Sequence, residues 1–356
     1  MEYWIRRGDA EYSFDAPEEA LIYEAIPRLQ AAEDLQDKLS KVRTFIEEAI
    51  ILVDFMYPLE PYVTVLKNFD TEDSTIFLTS WRLGDERKEL KIIQELKNKL
   101  SNATILPSFQ MKNLSVLQKC TEEAKKLIYV YPMTPLTELI KPGLDNILLK
   151  VFLGLEIVVD KTSPNLQYIG IAQSPGRELI DLYYDKAGCH SVYNVELKDQ
   201  FDCLIISPGG SPYDDNLYHS LQSLFGTYSA VKKGGTIILT AECIEGIGSK
   251  EFTRLLGLRK KNVSESDLKN TNLSFEYAFL DFLERVRKYA RIYLVSPIPR
   301  SIIQPFLDIK VFDTLQEAVQ QAIRLHSRSL SVCIVPYGHF TRLTVGKEAS
   351  LEAQQT

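Results

Sequence analysis

Side chains capable of acid–base chemistry occur between residues 201 and 252. His219 lies in a segment whose apolar residues recur at helical spacing, and Glu242 follows the apolar run 236–239. An imidazole titrates near neutral pH and can accept a proton from a substrate. A carboxylate can act as an acid or base, or it can cap a helix. His219 and Glu242 are therefore candidate catalytic residues, with an ordinary helix residue and a capping group as the alternatives.

Two buried strands are predicted to position these groups. The apolar runs 203–206 and 236–239 flank the predicted helix, and a strand, helix, strand order indicates a parallel crossover unit. The loops after both strands then lie at the carboxyl end of the sheet, where open α/β sheets bind ligands. Gly209 and Gly210 in the first loop are candidate ligand-binding residues, although glycine is also the usual turn residue.

The segment that precedes the predicted helix is acidic. Asp214 and Asp215 stand immediately before the first apolar residue of the helix. Their carboxylates are predicted to accept hydrogen bonds from the first backbone N–H groups of the helix. Because Asp215 also lies at the carboxyl end of the sheet, it is a second candidate for ligand binding.

Composition limits the class of protein. The chain has 356 residues, 45% of them hydrophobic and 25% charged, which is typical of a soluble globular protein with two domains. A net charge of -7 argues against nucleic acid or an anionic membrane as the main partner. Five scattered cysteines without a C-x-x-C pair, and an amino terminus without an apolar region, predict a cytoplasmic protein with free thiols. A small molecule or another protein is the expected partner.

The order of elements predicts an α/β fold with mainly parallel sheets. Apolar runs alternate with amphipathic helices from residue 49 to residue 132, which is typical of a parallel sheet. The runs LEIVVD and LQYIGIAQ, separated by KTSPN, predict a hairpin. We expect a first domain over 1–198, a second, Rossmann-like α/β domain over 199–338, and a solvated tail over 339–356.

The second half of the chain resembles the nickel-pincer lactate racemase family. The resemblance is carried by GGSPYDDNLY from Gly209, by VKKGGTIILTAECIEGIG from Val231, and by SPIPRSIIQPFLDIKVFDTLQEAVQQAI with VCIVPYG near the end. It covers the C-terminal domain of the family from about Asp202 to Gly338. Members of that family are two-domain α/β proteins that racemise or epimerise 2-hydroxy acids by hydride transfer to a nickel pincer nucleotide. The resemblance implies the same fold here.

The first half departs from the family where the cofactor and substrate are held. A family motif of Asp-His-Thr-Arg-Pro type corresponds to DFMYP at 54–58. The resemblance implies ligand-binding positions at Asp54 and Tyr57, but Tyr57 offers one hydroxyl where the arginine offers a fork of donors, and Asp54 is alternatively a strand-end cap. The family's next catalytic histidine falls on Arg82, which can clamp an anion or form a surface salt bridge but cannot act as a base near neutral pH.

A further family segment is shortened. It normally carries a second catalytic histidine, the lysine that anchors the cofactor and a histidine that ligates nickel. The corresponding residues 133–154 contain no histidine, and all four histidines of the chain lie after residue 189. We therefore expect no metal site and no cofactor, with the pincer nucleotide held only if other residues rebuild its site.

The family helix of the C-terminal domain reads Tyr-Gln-Ala-x-Lys, and its tyrosine and lysine face the substrate. In this sequence Tyr218 is kept, His219 takes the glutamine position and Gln222 takes the lysine position. The resemblance implies that Tyr218 and Gln222 line the ligand site. The positive charge that would face a substrate carboxylate is lost.

These observations lead to one main hypothesis and two alternatives. The main hypothesis is a divergent, shortened family member without the nickel pincer site, which binds a small organic acid or a nucleotide in an interdomain cleft and associates with itself or with a full-length racemase-family protein. The first alternative is an active racemase or epimerase, an isomerase that uses Arg82, Tyr57 and His219 in rearranged roles. The second is a methyltransferase that uses S-adenosylmethionine, but no G-x-G run lies upstream of VKKGGTIILTA.

Overall fold

The computed structural model describes residues 1–26, 49–55, 59–72, 74–79, 86–108, 126–132, 153–159, 166–173, 194–260 and 274–346. In chain order the strands are β1 (Glu2–Arg7), β2 (Ala10–Asp15), β3 (Leu21–Glu24), β4 (Ala49–Asp54), β5 (Thr75–Thr79), β6 (Thr104–Ser108), β7 (Lys126–Pro132), β8 (Leu153–Val159), β9 (Leu166–Gln173), β10 (Asn194–Leu197), β11 (Phe201–Ile206), β12 (Val231–Thr240), β13 (Arg291–Val295), β14 (Lys310–Phe312), β15 (Ser331–Val335) and β16 (Arg342–Val345). The helices are α1 (Glu60–Leu66), α2 (Glu86–Lys99), α3 (Leu217–Gln222), α4 (Lys250–Lys260), α5 (Ser274–Tyr289), α6 (Arg300–Ile303) and α7 (Leu315–His326).

The first large sheet has the strand order β6-β5-β4-β7-β8-β9. Its strands run parallel except for β9, which pairs antiparallel with β8 and confirms the predicted hairpin. Side chains alternate between the two faces of each strand, so Ile51 and Val53 of β4 pack in one hydrophobic cluster with residues of α1 and α2. Leu52 and Tyr129 point to the other face and belong to the cluster that includes the core of the second sheet.

The second large sheet has the order β14-β13-β12-β11-β15-β3, and all its strands are parallel. From β11 the chain proceeds outward through β12, β13 and β14, and it then returns to β15 on the other side of β11. The strand order therefore reverses between β11 and β15, which is the position where open α/β sheets place their ligands. The predicted α/β class with mainly parallel sheets is confirmed.

A glycine pair lies inside β12 rather than before it. The sequence predicts a strand over 236–239, whereas the observed strand begins at Val231. Phe201 pairs with Val231, but Cys203 pairs with Thr236, so extra residues bulge out of β12. Gly234 has φ +77°, a conformation that glycine adopts without a steric penalty, and it allows the strand to continue through the bulge.

The first 26 residues attach to the second sheet. β1 and β2 form an antiparallel hairpin whose turn contains Gly8, and β3 pairs with β15 at the sheet edge. Ile5 and Phe14 of the hairpin are buried with Cys203 and Ile205 of β11. This position differs from the sequence prediction, which placed residues 1–26 in the first domain, because the apolar side chains of the hairpin are buried against β11.

The end of the chain also differs from its prediction over residues 339–346. β16 pairs with β10 in a two-stranded parallel sheet, and Phe340 and Leu343 are buried. The solvated tail predicted over 339–356 therefore does not begin at residue 339, because these two apolar side chains are covered by the second domain. Residues 347–356 lie outside the described part of the chain.

Candidate functional site

The loops after β11 and β15 meet where the strand order reverses. The N–H of Gly338 donates a 2.7 Å hydrogen bond to the carbonyl of Ser207, and the N–H of His339 donates a 3.3 Å bond to the carbonyl of Pro208. A Cβ atom on Gly338 would lie 2.7 Å from Cγ2 of Ile206. Only glycine fits this approach of the two loops. Gly338 was missed as a site residue because a lone glycine after a strand carries no local signal of such packing.

Gly209 and Gly210 form the turn after β11, as predicted. Their φ angles are +127° and +81°, which only glycine adopts readily. The N–H of Gly209 donates to Oγ of Ser207 at 3.1 Å. A Cβ atom on Gly210 would lie 2.5 Å from the carbonyl oxygen of Gly8 and 2.6 Å from Nε of Arg6. Gly210 is therefore required by the close approach of the β1–β2 hairpin as well as by its own backbone conformation.

Three polar contacts hold the hairpin on this end of the sheet. The N–H of Gly8 donates to Oδ2 of Asp214 at 2.6 Å, and the N–H of Ser211 donates to the carbonyl of Gly8 at 3.2 Å. Nε of Arg7 lies 3.2 Å from Oε1 of Glu242, and its guanidinium stacks 3.7 Å from the ring centre of Tyr12. The hairpin turn thus covers the loops that follow β11 and β12.

Asp214 is a buried carboxyl group in this contact. Its pKa is raised mainly because burial disfavours the charged form, and the nearby charges of Asp215 and Glu242 raise it further. Hydrogen bonds from the backbone N–H groups of Gly8 and Glu242 oppose that shift. The sequence predicts Asp214 and Asp215 as helix caps, and this is wrong because Asn216 caps α3, its side chain accepting the N–H of His219 at 2.9 Å.

Asp215, the second predicted cap, has a different contact. It is half-buried. Its carbonyl accepts the N–H of Glu245 at 2.8 Å. The side chain of Glu245 in turn accepts from Nδ2 of Asn216 at 3.2 Å and forms an ion pair with Lys88 of α2. This chain of contacts links the amino end of α3 to a helix that packs on the first sheet.

The three predicted side chains of α3 are buried. Tyr218 is fully buried, with its ring centre 5.1 Å from that of Phe252 and 5.5 Å from that of Phe279. His219 is 6% exposed and Gln222 is 4% exposed. Burial of an uncharged amide at the position of the family lysine removes the cost of burying a cation there. A ligand that reaches these side chains must approach through the surrounding loops.

Glu242 lies directly after β12, at the predicted edge of the sheet. Its carboxylate pairs with Arg7, and its carbonyl accepts the hydroxyl of Ser296 at 3.3 Å. The next residue, Cys243, has φ +51° and a buried thiol whose pKa is raised to about 12 by burial. The ion pair with Arg7 ties Glu242 to the hairpin.

The predicted residues of the first domain are described only in part. Asp54 is fully buried at the carboxyl end of β4, where its Oδ2 accepts the hydroxyl of Tyr129 at 3.5 Å. Tyr57 and Arg82 lie outside the described residues. The structure therefore places Asp54 at the carboxyl end of a strand of the first sheet, and its role in ligand binding stays a prediction, as do those of Tyr57 and Arg82.

The described histidines lie on three separate elements. His219 is on α3, His339 is beside the ring of Tyr213, and Nε2 of His326 is 2.9 Å from the hydroxyl of Thr236. Among the described residues, no three His, Cys, Asp or Glu side chains converge as a metal site would require. Within the same residues, no helix is both long and apolar enough to cross a bilayer.

The fold and this end of its second sheet define a two-sheet α/β protein with a Rossmann-like second domain. Residues 197–340 match the model of the lactate racemase C-terminal domain. The second domain is therefore similar to the C-terminal domain of lactate racemases.

Individual relatives support the same assignment. The lactate racemase of Thermoanaerobacterium thermosaccharolyticum is 38% identical over 73 residues, which are 20% of this chain and 16% of that protein. The lactate racemase of Lactiplantibacillus plantarum is 23% identical over 159 residues, 43% of this chain and 38% of that protein. The matched regions thus span less than half the length of these relatives.

Solved structures are similar over most of the chain. The lactate racemase apoprotein from Thermoanaerobacterium thermosaccharolyticum has a TM-score of 0.68 at 16% identity, covering 97% of this chain and 100% of that one. A protein from Thermotoga maritima has a TM-score of 0.53 at 12% identity, covering 87% and 97%. At these identities the likeness concerns the fold.

Proposed function

We propose that this chain is a divergent lactate racemase-family protein that binds a small organic acid or a nucleotide between its two domains without holding a nickel pincer nucleotide. The proposal rests on α3, where one residue of the family motif is kept and another is replaced by an uncharged side chain. Tyr218 keeps the family residue, while the buried, neutral Gln222 replaces the lysine. These residues support a family-like scaffold that lacks the positive charge expected opposite a substrate carboxylate.

The side chains of the first domain support a protein without a nickel centre. Imidazole is a preferred nickel ligand, and no histidine occurs in the first 189 residues. In the family motif of the first domain, Asp54 is present but is buried in a hydrogen bond with Tyr129. The residues at these positions do not suit the metal and its nucleotide, so we derive no hydride-transfer step.

Metal content and intact mass test this proposal. The protein is expressed in a host that makes the nickel pincer cofactor, and a lactate racemase carrying the full set of histidines is purified in parallel as a positive control. We expect unmodified mass and no stoichiometric nickel. Nickel near one per chain with a nucleotide adduct would overturn the proposal, and the chain should then be assayed for racemisation by polarimetry.

Ligand binding is tested separately by isothermal titration calorimetry with lactate and with AMP. We expect saturable binding of at least one of the two. Size-exclusion chromatography, alone and with a racemase of the family, tests the accompanying proposal of association with itself or with that protein. If neither lactate nor AMP binds, the proposed binding function is wrong.

A further inference from the structure

The β1–β2 hairpin carries an arginine to the loop after β11. Nε of Arg6 donates to the carbonyl of Gly8 at 3.4 Å, and its side chain lies against Gly210. Gly8 is itself held by Asp214. The guanidinium is therefore fixed through its Nε at the end of the sheet where α/β proteins bind ligands.

Arg6 differs from the other basic residues near these loops. Arg7 pairs with Glu242, and Lys88 pairs with Glu245. Within the described ranges, no carboxylate lies within ion-pair distance of Arg6, and its side chain is only half-buried. Its two terminal nitrogens remain available as a planar fork of donors, the geometry that matches a carboxylate or a phosphate.

A second donor belongs to Gly210, the residue against which the Arg6 side chain packs. Gly210 is buried, yet no described acceptor receives its backbone N–H, although the carbonyl of Gly210 accepts from Tyr213 and Asp214. Buried backbone N–H groups almost always have a partner in folded proteins. An oxyanion bound by the Arg6 fork would supply that acceptor.

We propose that Arg6 and the backbone N–H of Gly210 form an oxyanion-binding subsite, which takes the carboxylate of an organic acid or the phosphate of a nucleotide. The inference rests on the proposed binding function and names the residues that recognise the anion. It restores, from the amino-terminal hairpin, a positive charge of the kind lost at Gln222. The carboxyl group of Asp214 accepts the N–H groups of Gly8 and Glu242, so its contacts are with the backbone and not with Arg6.

Isotope labelling can observe this subsite directly. The chain contains two Gly-Gly pairs, at 209–210 and 234–235. Glycine labelled with ¹³C at the carbonyl and with ¹⁵N therefore gives carbonyl-filtered amide signals from Gly210 and Gly235 alone. We expect lactate or AMP, at constant ionic strength, to shift the Gly210 signal saturably and to leave Gly235, within β12, in place. A response to lactate only assigns the subsite to a carboxylate, and a response to AMP only assigns it to a phosphate.

Substitution of Arg6 provides the second measurement. Arg6→Gln removes the charge and the fork, and we expect the affinity for the responding ligand to fall about tenfold or more. Arg6→Lys keeps the charge and should recover part of that loss. The matched control is Arg285→Gln, at an exposed arginine of α5, which should bind as the unchanged protein does.

The outcomes separate the inference from the function on which it rests. If calorimetry detects neither lactate nor AMP, both fail. If a ligand binds but the Gly210 signal stays in place, or Arg6→Gln binds as tightly as the unchanged protein, the subsite is wrong while the binding function stands. Circular dichroism shows whether Arg6→Gln folds. If it does not, the subsite is tested by the Gly210 signal of the unchanged protein and by the affinity of Arg6→Lys, and an unshifted signal would overturn it.

Discussion

Gly8 and Asp214 are joined by a 2.6 Å hydrogen bond from the backbone N–H to Oδ2, although they are 206 residues apart in the chain. Asp214 is fully buried, and the same oxygen accepts the N–H of Glu242 at 3.4 Å. One carboxyl group therefore ties the amino-terminal hairpin to the loops after β11 and β12. The position of Arg6 depends on this tether.

Replacement of Asp214 should destabilise the protein. Asp214→Ala leaves the N–H groups of Gly8 and Glu242 without their acceptor, and we expect the free energy of unfolding to fall by about 2–3 kcal/mol. Asp214→Asn keeps an acceptor oxygen, so its free energy of unfolding should fall by less. The matched control is Asp9→Ala, an exposed residue of the same turn. Urea unfolding measures all three, and an equal loss in the control would show that the tether has no special role.

Replacement of Gly210 should displace the hairpin. Gly210→Ala combines a strained φ of +81° with a methyl group only 2.5 Å from the carbonyl of Gly8. Gly246→Ala is its control, since Gly246 has φ +78° and no heavy atom within 4 Å of the added carbon. We expect the control to cost about 1–2 kcal/mol for the backbone and Gly210→Ala to cost about 1–3 kcal/mol more for the clash. Equal losses in urea unfolding would contradict the observed packing.

Glu276 should make stability depend on pH. It is buried in the first turn of α5, and burial together with the charge of Glu251 raises its pKa to about 7 from 4.5. The folded state favours the neutral form of Glu276. The contribution of this group to the free energy of unfolding is therefore complete below pH 4.5 and is lost as pH rises through about 7. Over this pH range the free energy of unfolding of the unchanged protein should fall by up to about 3 kcal/mol relative to that of Glu276→Gln.

The control for Glu276 is Glu317→Gln, at an exposed glutamate in the first turn of α7. This variant removes a glutamate carboxyl from an exposed site in the same kind of position, so its unfolding free energy at each pH gives the baseline for Glu276→Gln. Urea unfolding at several pH values measures both variants. A constant difference for Glu276→Gln would show that this carboxyl ionises normally.

The described cysteines should resist modification in the folded protein. Cys203, Cys243 and Cys333 are buried, and burial raises the pKa of each thiol, to about 12 for Cys243 and Cys333. The thiolate is the reactive form. In a protein with Cys120→Ser and Cys189→Ser, Ellman's reagent at pH 8 should therefore react with three thiols only after urea is added. Rapid reaction without urea would contradict their burial.

The sequence by itself determined the central unit of the second sheet. Apolar runs bounded by Pro208 and Gly209 predicted β11, and helical spacing predicted α3, because these signals are local and one strand or helix contains them all. The glycine turn followed for the same reason. The family segments pointed to the lactate racemase C-terminal domain, which the comparisons support.

The tertiary structure decided which distant residues complete that unit. Nothing local in the chain indicates that Gly8 meets Asp214, that β3 joins β15, or that Asn216 rather than Asp214 caps α3. The hydrophobic pattern of the first residues does not specify against which strand Ile5 packs. Contacts between residues far apart in sequence depend on the packing of whole elements, and here that packing brought Arg6 to Gly210.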